Sequence, residues 1–334
     1  MLRLAKYTKP YLGMILLAIV LLFAQANFDL ALPDYLSRIV NTGIQQGGVE
    51  NAVPAALRQS ALDRLLIFMN AADRTAVLDA YTLVDQNAAD YDQYRQKYPG
   101  LAAEAVYVLK PGNPAPSDHL NLVMAKALLA VSGLEEALAD PARAAQMSAG
   151  LGFDLSQLPA GMDLFALLKQ APADRLEALT SALNAKFAAL GDKMIIQAAA
   201  KPIRAEYQAL GLDTDRLQND YLLATGGWMI LLTLLSVACT IAVSYLSAQT
   251  AAGLARDLRR AVFQKVESFS SGEFDSFSTA SLITRTTNDI TQVQMVVMLI
   301  IRMVFYAPLM GIGGIIHVVG EDAAMSWLIG VAVL

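Results

Sequence analysis

Residues 221–270 read YLLATGGWMILLTLLSVACTIAVSYLSAQTAAGLARDLRRAVFQKVESFS. This stretch contains no proline, so one helix can run through all 50 residues, roughly 75 Å at 1.5 Å per residue. The hydrocarbon core of a bilayer, about 30 Å thick, takes up less than half of that length. The rest must project beyond the lipid, where its apolar residues keep helical spacing and predict helical neighbours. These residues are Leu254, Leu258, Val262, Val266 and Phe269.

Two further apolar stretches are long enough to cross a bilayer. A membrane span needs about 20 apolar residues. Two stretches are longer than this: Tyr11–Leu32 and Val293–Val319. With Tyr221–Ala248 they predict a multi-pass membrane protein, in line with a chain that is 55% hydrophobic and 16% charged. Ala324–Leu334 reads as half of a fourth span. Because half a span leaves backbone groups unpaired in lipid, we expect the natural chain to continue.

Basic residues predict the orientation of these spans, because they concentrate on the cytoplasmic side of a membrane. Arg3, Lys6 and Lys9 precede the first span, and a second basic cluster lies between the second and third spans. We expect both clusters in the cytoplasm and residues 33–220 outside it. The second cluster consists of Arg256, Arg259, Arg260, Lys265 and Arg285.

Residues 50–220 read as a water-soluble helical insertion with 21 acidic and 15 basic residues, a net charge of −6. About 170 residues are enough for a core of its own. Helical apolar stripes lie over Leu57–Met69 and Ala173–Leu190, and Ser117 or Asp118 is expected to cap a helix. The acidic residues are scattered and His119 lacks partners at metal-ligand spacing, so we predict no metal or catalytic site here.

The predicted fold is therefore an all-α, polytopic membrane helix bundle with an α-helical extracytoplasmic insertion. We expect residues 1–49 to hold the cytoplasmic N-terminus, the first span and an outer loop. Residues 50–220 form the insertion. Residues 221–334 hold spans two and three, the start of span four and an intracellular loop at about 270–290.

That loop, with the start of the third span, reads EFDSFSTASLITRTTNDITQVQ, residues 273–294. It is a polar connection in which we expect a short helix to start at Asp275 or Ser276. Phe274, Phe277 and Leu282 are apolar side chains in this loop. The residues alone leave two interpretations open: these side chains dock onto another protein, or they pack against the ends of their own bundle.

The loop resembles the first intracellular loop of ABC exporters, and Ala280–Gln294 is especially similar to the version in heterodimeric bacterial multidrug exporters. Leu30–Gly43, LALPDYLSRIVNTG, resembles the end of the first span and the outer loop of the same group. The resemblance covers about residues 1–49 and 221–334. It leaves out the insertion, where typical members have a short loop.

The resemblance implies a coupling helix that contacts a nucleotide-binding domain, and a polar start of the third helix. The expected contact residues are Phe277, Ser278, Thr279, Ala280, Ser281 and Leu282, and the polar residues are Arg285, Asn288 and Asp289. It further implies the membrane part of an ATP-driven exporter in the bacterial plasma membrane, paired with a non-identical sister half. Amphipathic or lipophilic compounds are the expected cargo.

ATP and Mg²⁺ are expected to bind a nucleotide-binding domain that is missing from this chain, because no G-x-x-x-x-G-K-[ST] sequence occurs in its 334 residues. ATPase activity is thus expected of the full-length protein or of a separate subunit. No cofactor is expected in this chain, and nucleic acid is not an expected partner.

Three polar residues within the spans, Asn27, Asp29 and Arg302, are candidates for the substrate pathway. Arg302 has a second interpretation, an arginine near the inner interface that reaches headgroups or pairs with an acid.

Two rival functions remain open from the sequence. A membrane-tethered extracytoplasmic sensor or scaffold accounts for the insertion but not for the long helix and the loop. A secondary transporter or channel that works without ATP is expected to carry ion-coupling carboxylates at interrupted helices, and only Asp29 approaches that pattern.

Overall fold

The computed structural model describes residues 5–111, 117–140, 164–270, 272 and 277–321. Two compact units make up the chain: residues 1–37 with 225–334, and residues 38–224. The predicted fourth span, Ala324–Leu334, lies outside the described residues, as do Phe274, Asp275 and Ser276.

In chain order the helices and strands are α1 (Ala5–Thr8), α2 (Leu12–Arg38), β1 (Ala56–Arg58), α3 (Gln59–Ile67), α4 (Ala71–Ala80), β2 (Tyr81–Val84), α5 (Tyr91–Lys97), β3 (Val106–Leu109), α6 (Asp118–Ala139), α7 (Leu164–Gln170), α8 (Ala173–Ala188), α9 (Asp192–Ala198), α10 (Ala200–Ala209), α11 (Thr214–Glu267), α12 (Thr279–Thr284) and α13 (Ile290–Glu321). Short 3₁₀ turns cover Lys9–Tyr11 and Pro99–Ala102, and π-helical turns cover Ile39–Gln45 and Arg285–Asp289.

Within the described residues, three helical runs are long and apolar enough to cross a membrane. They cover Lys9–Gln45, Thr214–Glu267 and Thr279–Ile316, so the polytopic helix bundle predicted from the sequence is confirmed. The proline-free stretch is one helix, α11, with 54 residues. The third run is also unbroken, because the π-helical turn at Arg285–Asp289 joins α12 to α13.

The second unit packs its helices on a small antiparallel sheet with the strand order β1-β3-β2. Leu57 pairs with Tyr107, and Thr82 pairs with Val108. The sequence analysis did not predict this sheet. Its strands have three or four residues, too few for a period-two pattern, and β1 and β3 lie about 50 residues apart in the chain.

The helices predicted in the insertion are present, with one correction. The stripe over Leu57–Met69 does not begin as a helix, because Leu57 belongs to β1 and α3 starts at Gln59. The stripe over Ala173–Leu190 corresponds to α8. Ser117 caps α6 as expected: its Oγ accepts a hydrogen bond from the Leu120 amide at 3.2 Å.

A buried ion pair joins β1 to α10. Glu206 is buried and accepts three hydrogen bonds from Arg58: from the backbone amide at 2.8 Å, from Nε at 3.0 Å and from Nη2 at 2.8 Å. Glu104 lies 3.8 Å from the same guanidinium. Since the strand contributes both backbone and side chain, this contact fixes the position of β1 against the helix.

We expect Glu206→Gln to lower the free energy of unfolding of the insertion by about 2 kcal/mol. The loss is smaller than for a fully buried pair, because the Arg58 side chain is 35% exposed and water can partly replace the carboxylate. Glu135→Gln is the control, since its ion pair with Arg64 lies at the surface and contributes less than about 1 kcal/mol. Pulse proteolysis of the whole chain in urea measures both, and equal effects would contradict the assignment.

Two buried tyrosines make the insertion sensitive to alkaline pH. The Tyr81 hydroxyl donates to the Pro54 carbonyl at 2.8 Å, and the Tyr207 hydroxyl accepts from the Ala55 amide at 2.9 Å. Burial raises the pKa of Tyr81 well above its ordinary value and also raises the pKa of Tyr207. Both rings must therefore stay protonated in the folded insertion.

A raised pKa in the folded state gives stability that is complete below the unfolded pKa of about 10 and is lost as the pH rises above it. We therefore expect the insertion to lose stability steadily above about pH 10. Tyr81→Phe should flatten that decline, and Tyr107→Phe, at a ring that is only half-buried, is the control and should leave it unchanged. Unfolding midpoints between pH 8 and 11 measure the slopes; an unchanged slope in Tyr81→Phe would exclude this cause.

Candidate functional site

The carboxyl group of Asp29 connects all three membrane-spanning helices. Ser236 of α11 donates its Oγ hydrogen to Oδ1 at 2.5 Å, and the Tyr306 hydroxyl of α13 donates to Oδ2 at 2.7 Å. Gln25, one turn earlier on α2, donates Nε2 to the same Oδ2 at 3.4 Å. Hydrogen bonds between helices are a main source of specific association in lipid, so Asp29 fixes the register of the three spans.

The other two pathway candidates do not join this cluster. Asn27 is exposed and donates its Nδ2 hydrogen to the Phe23 carbonyl of its own helix at 2.7 Å. Residues two positions apart in a helix are separated by about 200° around the helix axis, so Asn27 and Asp29 point to different sides of α2. Arg302 is exposed, one turn before Tyr306 on α13.

Sequence reasoning missed the partners of Asp29. Ser236 and Tyr306 each look ordinary within an apolar span, because a hydroxyl there can bond to its own helix. Hydroxyl side chains of the other spans that are expected at the same depth in the membrane as Asp29 are the signal that would have pointed to Ser236 and Tyr306.

Small residues allow the helices to approach at two further points. Gly253 of α11 faces the ring of Tyr11, and a Cβ atom there would overlap the ring. The Tyr11 hydroxyl donates to Asp257 Oδ2 at 2.7 Å, next to this contact. Gly313 of α13 likewise leaves room for the Leu30 side chain of α2. Close packing over small residues is how helices gain contact in lipid.

The loop residues lie around the short helix α12. Ser278 caps it by accepting a hydrogen bond from the Ser281 amide at 3.2 Å, so this helix starts at Thr279. The helix start predicted at Asp275 or Ser276 lies outside the described residues. Ser278, Thr279 and Ala280 are exposed, while Ser281 and Leu282 are half-buried. Ile283, which the sequence analysis did not single out, is 59% exposed.

Threonine hydroxyls bond back to the helix through this region. Thr284 Oγ1 donates to the Ala280 carbonyl at 3.0 Å, and Thr287 Oγ1 donates to the Ile283 carbonyl at 2.8 Å. Such bonds loosen the regular helical ladder, in keeping with the π-helical turn that follows. Arg285, Asn288 and Asp289 are exposed on that turn. Phe277 stacks on Phe269 rather than standing free.

Among the described residues, no group of three or more His, Cys, Asp or Glu side chains is arranged to hold a metal ion. The polar features that the structure brings together are thus the Asp29 cluster between the spans and the exposed helix α12. Both belong to a multi-pass membrane protein whose helices extend beyond the spans into a polar loop.

Comparison with known proteins identifies the class further. Residues 199–333 match the ABC transporter transmembrane region. An uncharacterised ABC transporter ATP-binding protein of Mycobacterium tuberculosis is 40% identical over 108 residues, 32% of this chain and 19% of the relative. The uncharacterised ABC transporter ATP-binding protein YfiB of Bacillus subtilis is 38% identical over a match of the same extent. No solved structure matches.

Residues 199–333 are thus similar to the transmembrane region of ABC transporters, in keeping with the membrane-spanning helices α11 and α13. The matched segment spans about a fifth of the length of these curated relatives.

We expect Asp29→Ala to lower the free energy of unfolding by about 1–2 kcal/mol, because the hydroxyls of Ser236 and Tyr306 both lose their partner within the bundle. Asn27→Ala is the matched control on the same helix and should stay within about 0.5 kcal/mol of the wild type. Circular dichroism during SDS titration of the protein in detergent micelles measures both. A loss as large in the control would mean that Asp29 has no special part in the bundle.

Proposed function

We propose that this chain forms the substrate pathway of an ATP-driven exporter and couples ATP hydrolysis by a nucleotide-binding domain to efflux. The observation that carries the proposal is the exposed helix α12, which lies between α11 and α13 within the segment that matches the ABC transporter transmembrane region. A loop helix outside the spans that exposes an apolar side chain such as Ile283 is suited to contact a soluble domain.

The nucleotide-binding domain is proposed as a partner, either as a continuation of this chain or as a separate subunit. The curated relatives are named ATP-binding proteins, whereas the 334 residues of this chain contain no phosphate-binding G-x-x-x-x-G-K-[ST] sequence. ATP and Mg²⁺ would act in that domain. The proposed contact is made by residues 277–282, with Arg285, Asn288 and Asp289 at the base of the third helix.

A second half-transporter, a non-identical sister subunit, is the other proposed partner. The spans expose many large apolar side chains, which lipid or the sister half must cover. On α13 they include Met295, Val296, Leu299, Met303 and Val304. The proposed cargo is amphipathic or lipophilic, because a pathway between such helices offers mostly apolar contacts, with Asp29 as a polar group among them.

The proposed location is the bacterial cytoplasmic membrane, with the N-terminus and the loop in the cytoplasm. The basic residues before the first span and after the second span support this orientation. Residues 50–220 are then extracytoplasmic. A tethered extracytoplasmic sensor remains the alternative, and the large insertion is the feature that favours it.

Replacing residues 277–282 by a Gly-Ser segment of equal length separates the two functions. In an exporter, ATP-dependent uptake of ethidium, a lipophilic cation, into inside-out vesicles should fall at least about tenfold, because the ATPase loses its mechanical connection to the spans. The same replacement in the surface turn at residues 85–90 is the control and should leave uptake unchanged. Uptake that needs no ATP, or that survives the loop replacement, would refute the exporter proposal.

A further inference from the structure

The two phenylalanines at the ends of the loop lie against each other. The ring centroids of Phe269 and Phe277 are 5.5 Å apart and their planes differ by 10°. Phe269 follows the last turn of α11, which closes when Ser268 Oγ donates to the Lys265 carbonyl at 2.7 Å. Phe277 directly precedes Ser278, the cap of α12. The stack therefore joins the end of one helix to the beginning of the next.

A cation lies over each of the two rings. Lys265 Nζ is 5.8 Å from the centroid of Phe269, and the guanidinium carbon of Arg285 is 5.9 Å from the centroid of Phe277. Cations within about 6 Å of a ring centroid are attracted by its π-electrons. We call these four residues, Lys265, Phe269, Phe277 and Arg285, the aromatic clasp. It brings together the end of α11, the start of α12 and the π-helical turn that follows.

The aromatic clasp connects α11 to α12, and a hydrogen bond connects α11 to α13 on the other side of the π-helical turn. Arg259 Nη2 donates to Thr291 Oγ1 at 3.2 Å, connecting α11 to α13 beyond the π-helical turn. A π-helical turn is a point at which a helix bends, so contacts with α11 on both sides of the turn define the direction of α12 relative to α13. The clasp thus determines which side chains of α12 point outward.

The exposed apolar side chain of α12 is not a member of the clasp. Phe277 is 38% exposed, whereas Ile283 is 59% exposed. Ala280, three residues before Ile283 and hence on the same helical face, is also exposed. A partner that approaches α12 would meet the Ala280–Ile283 face, since one face of the Phe277 ring is already covered by Phe269.

We propose that Phe277 is a positioning residue: the aromatic clasp holds α12 so that Ile283, rather than Phe277, enters an apolar groove of the ATPase domain. The identity of that partner rests on the proposed function. The contact described above for residues 277–282 is thereby divided between residues that orient the helix and an adjacent side chain that docks.

A photo-crosslinking amino acid, p-benzoylphenylalanine, tests this division in the full-length transporter. It is placed singly at position 277, 283 or 263 and activated by light, and adducts are identified by mass spectrometry. Phe263 is the control because it is exposed on α11 and lies outside the clasp. We expect an adduct with the ATPase domain from position 283, an intramolecular adduct with α11 from position 277, and no ATPase adduct from position 263.

Clasp variants then test the positioning role with the probe kept at position 283. Phe277→Ala should lower the yield of the ATPase adduct roughly tenfold, because stacking and the cation contact of Arg285 are both lost. Phe269→Ala should do the same, the double variant should be no worse than either, and Phe277→Tyr should keep the yield. An unchanged yield in Phe277→Ala would overturn the proposal, as would an ATPase adduct at position 277 equal to that at 283.

Failure of the proposed function gives a different result. If no position yields an ATPase adduct while position 277 still reacts with α11, the clasp exists but the exporter partner does not, and the docking role of Ile283 is refuted with it. If position 277 fails to react with α11 while position 283 gives the ATPase adduct, the partner stands and the clasp is refuted.

Discussion

Backbone amide and carbonyl groups inside a hydrocarbon layer have no water to bind, so each must find its partner within the protein. This constraint accounts for the long helices α2, α11 and α13. It also explains why α2 continues through Pro33 and α13 through Pro308: a single missing donor costs less in lipid than a broken helix.

Once every span is a helix, the hydrophobic effect no longer distinguishes one helix pair from another, because lipid is as apolar as leucine. Shape and hydrogen bonds must then decide how the helices pack. In this chain Gly253 accommodates Tyr11, Gly313 accommodates Leu30, and Asp29 bonds to Ser236 and Tyr306. These few contacts favour one arrangement of the helices, although most of the apolar surface of the spans would pack equally well against lipid or against another helix.

The spans and α11 were predictable because hydropathy and the absence of proline are properties of a continuous stretch. The aromatic clasp, the Asp29 cluster and the sheet were not, because each joins residues distant in the chain. Asp29 was recognised as unusual, but its partners Ser236 and Tyr306 lie 207 and 277 residues away. Phe277 illustrates the same limit: its chemistry fitted docking and packing equally, and the sequence does not indicate that its ring lies 5.5 Å from the ring of Phe269.

The length of α11 has a mechanical consequence for the proposed exporter. The helix begins at Thr214, within the insertion, and ends at Glu267, shortly before the loop, so a displacement of the loop is carried along one helix. Gly226 and Gly227 lie within this helix, and each glycine costs a helix about 1 kcal/mol relative to alanine. With no side chains to stiffen it, this pair bends at lower cost than the rest of α11. The stiff lever is therefore the stretch from Trp228 to Glu267.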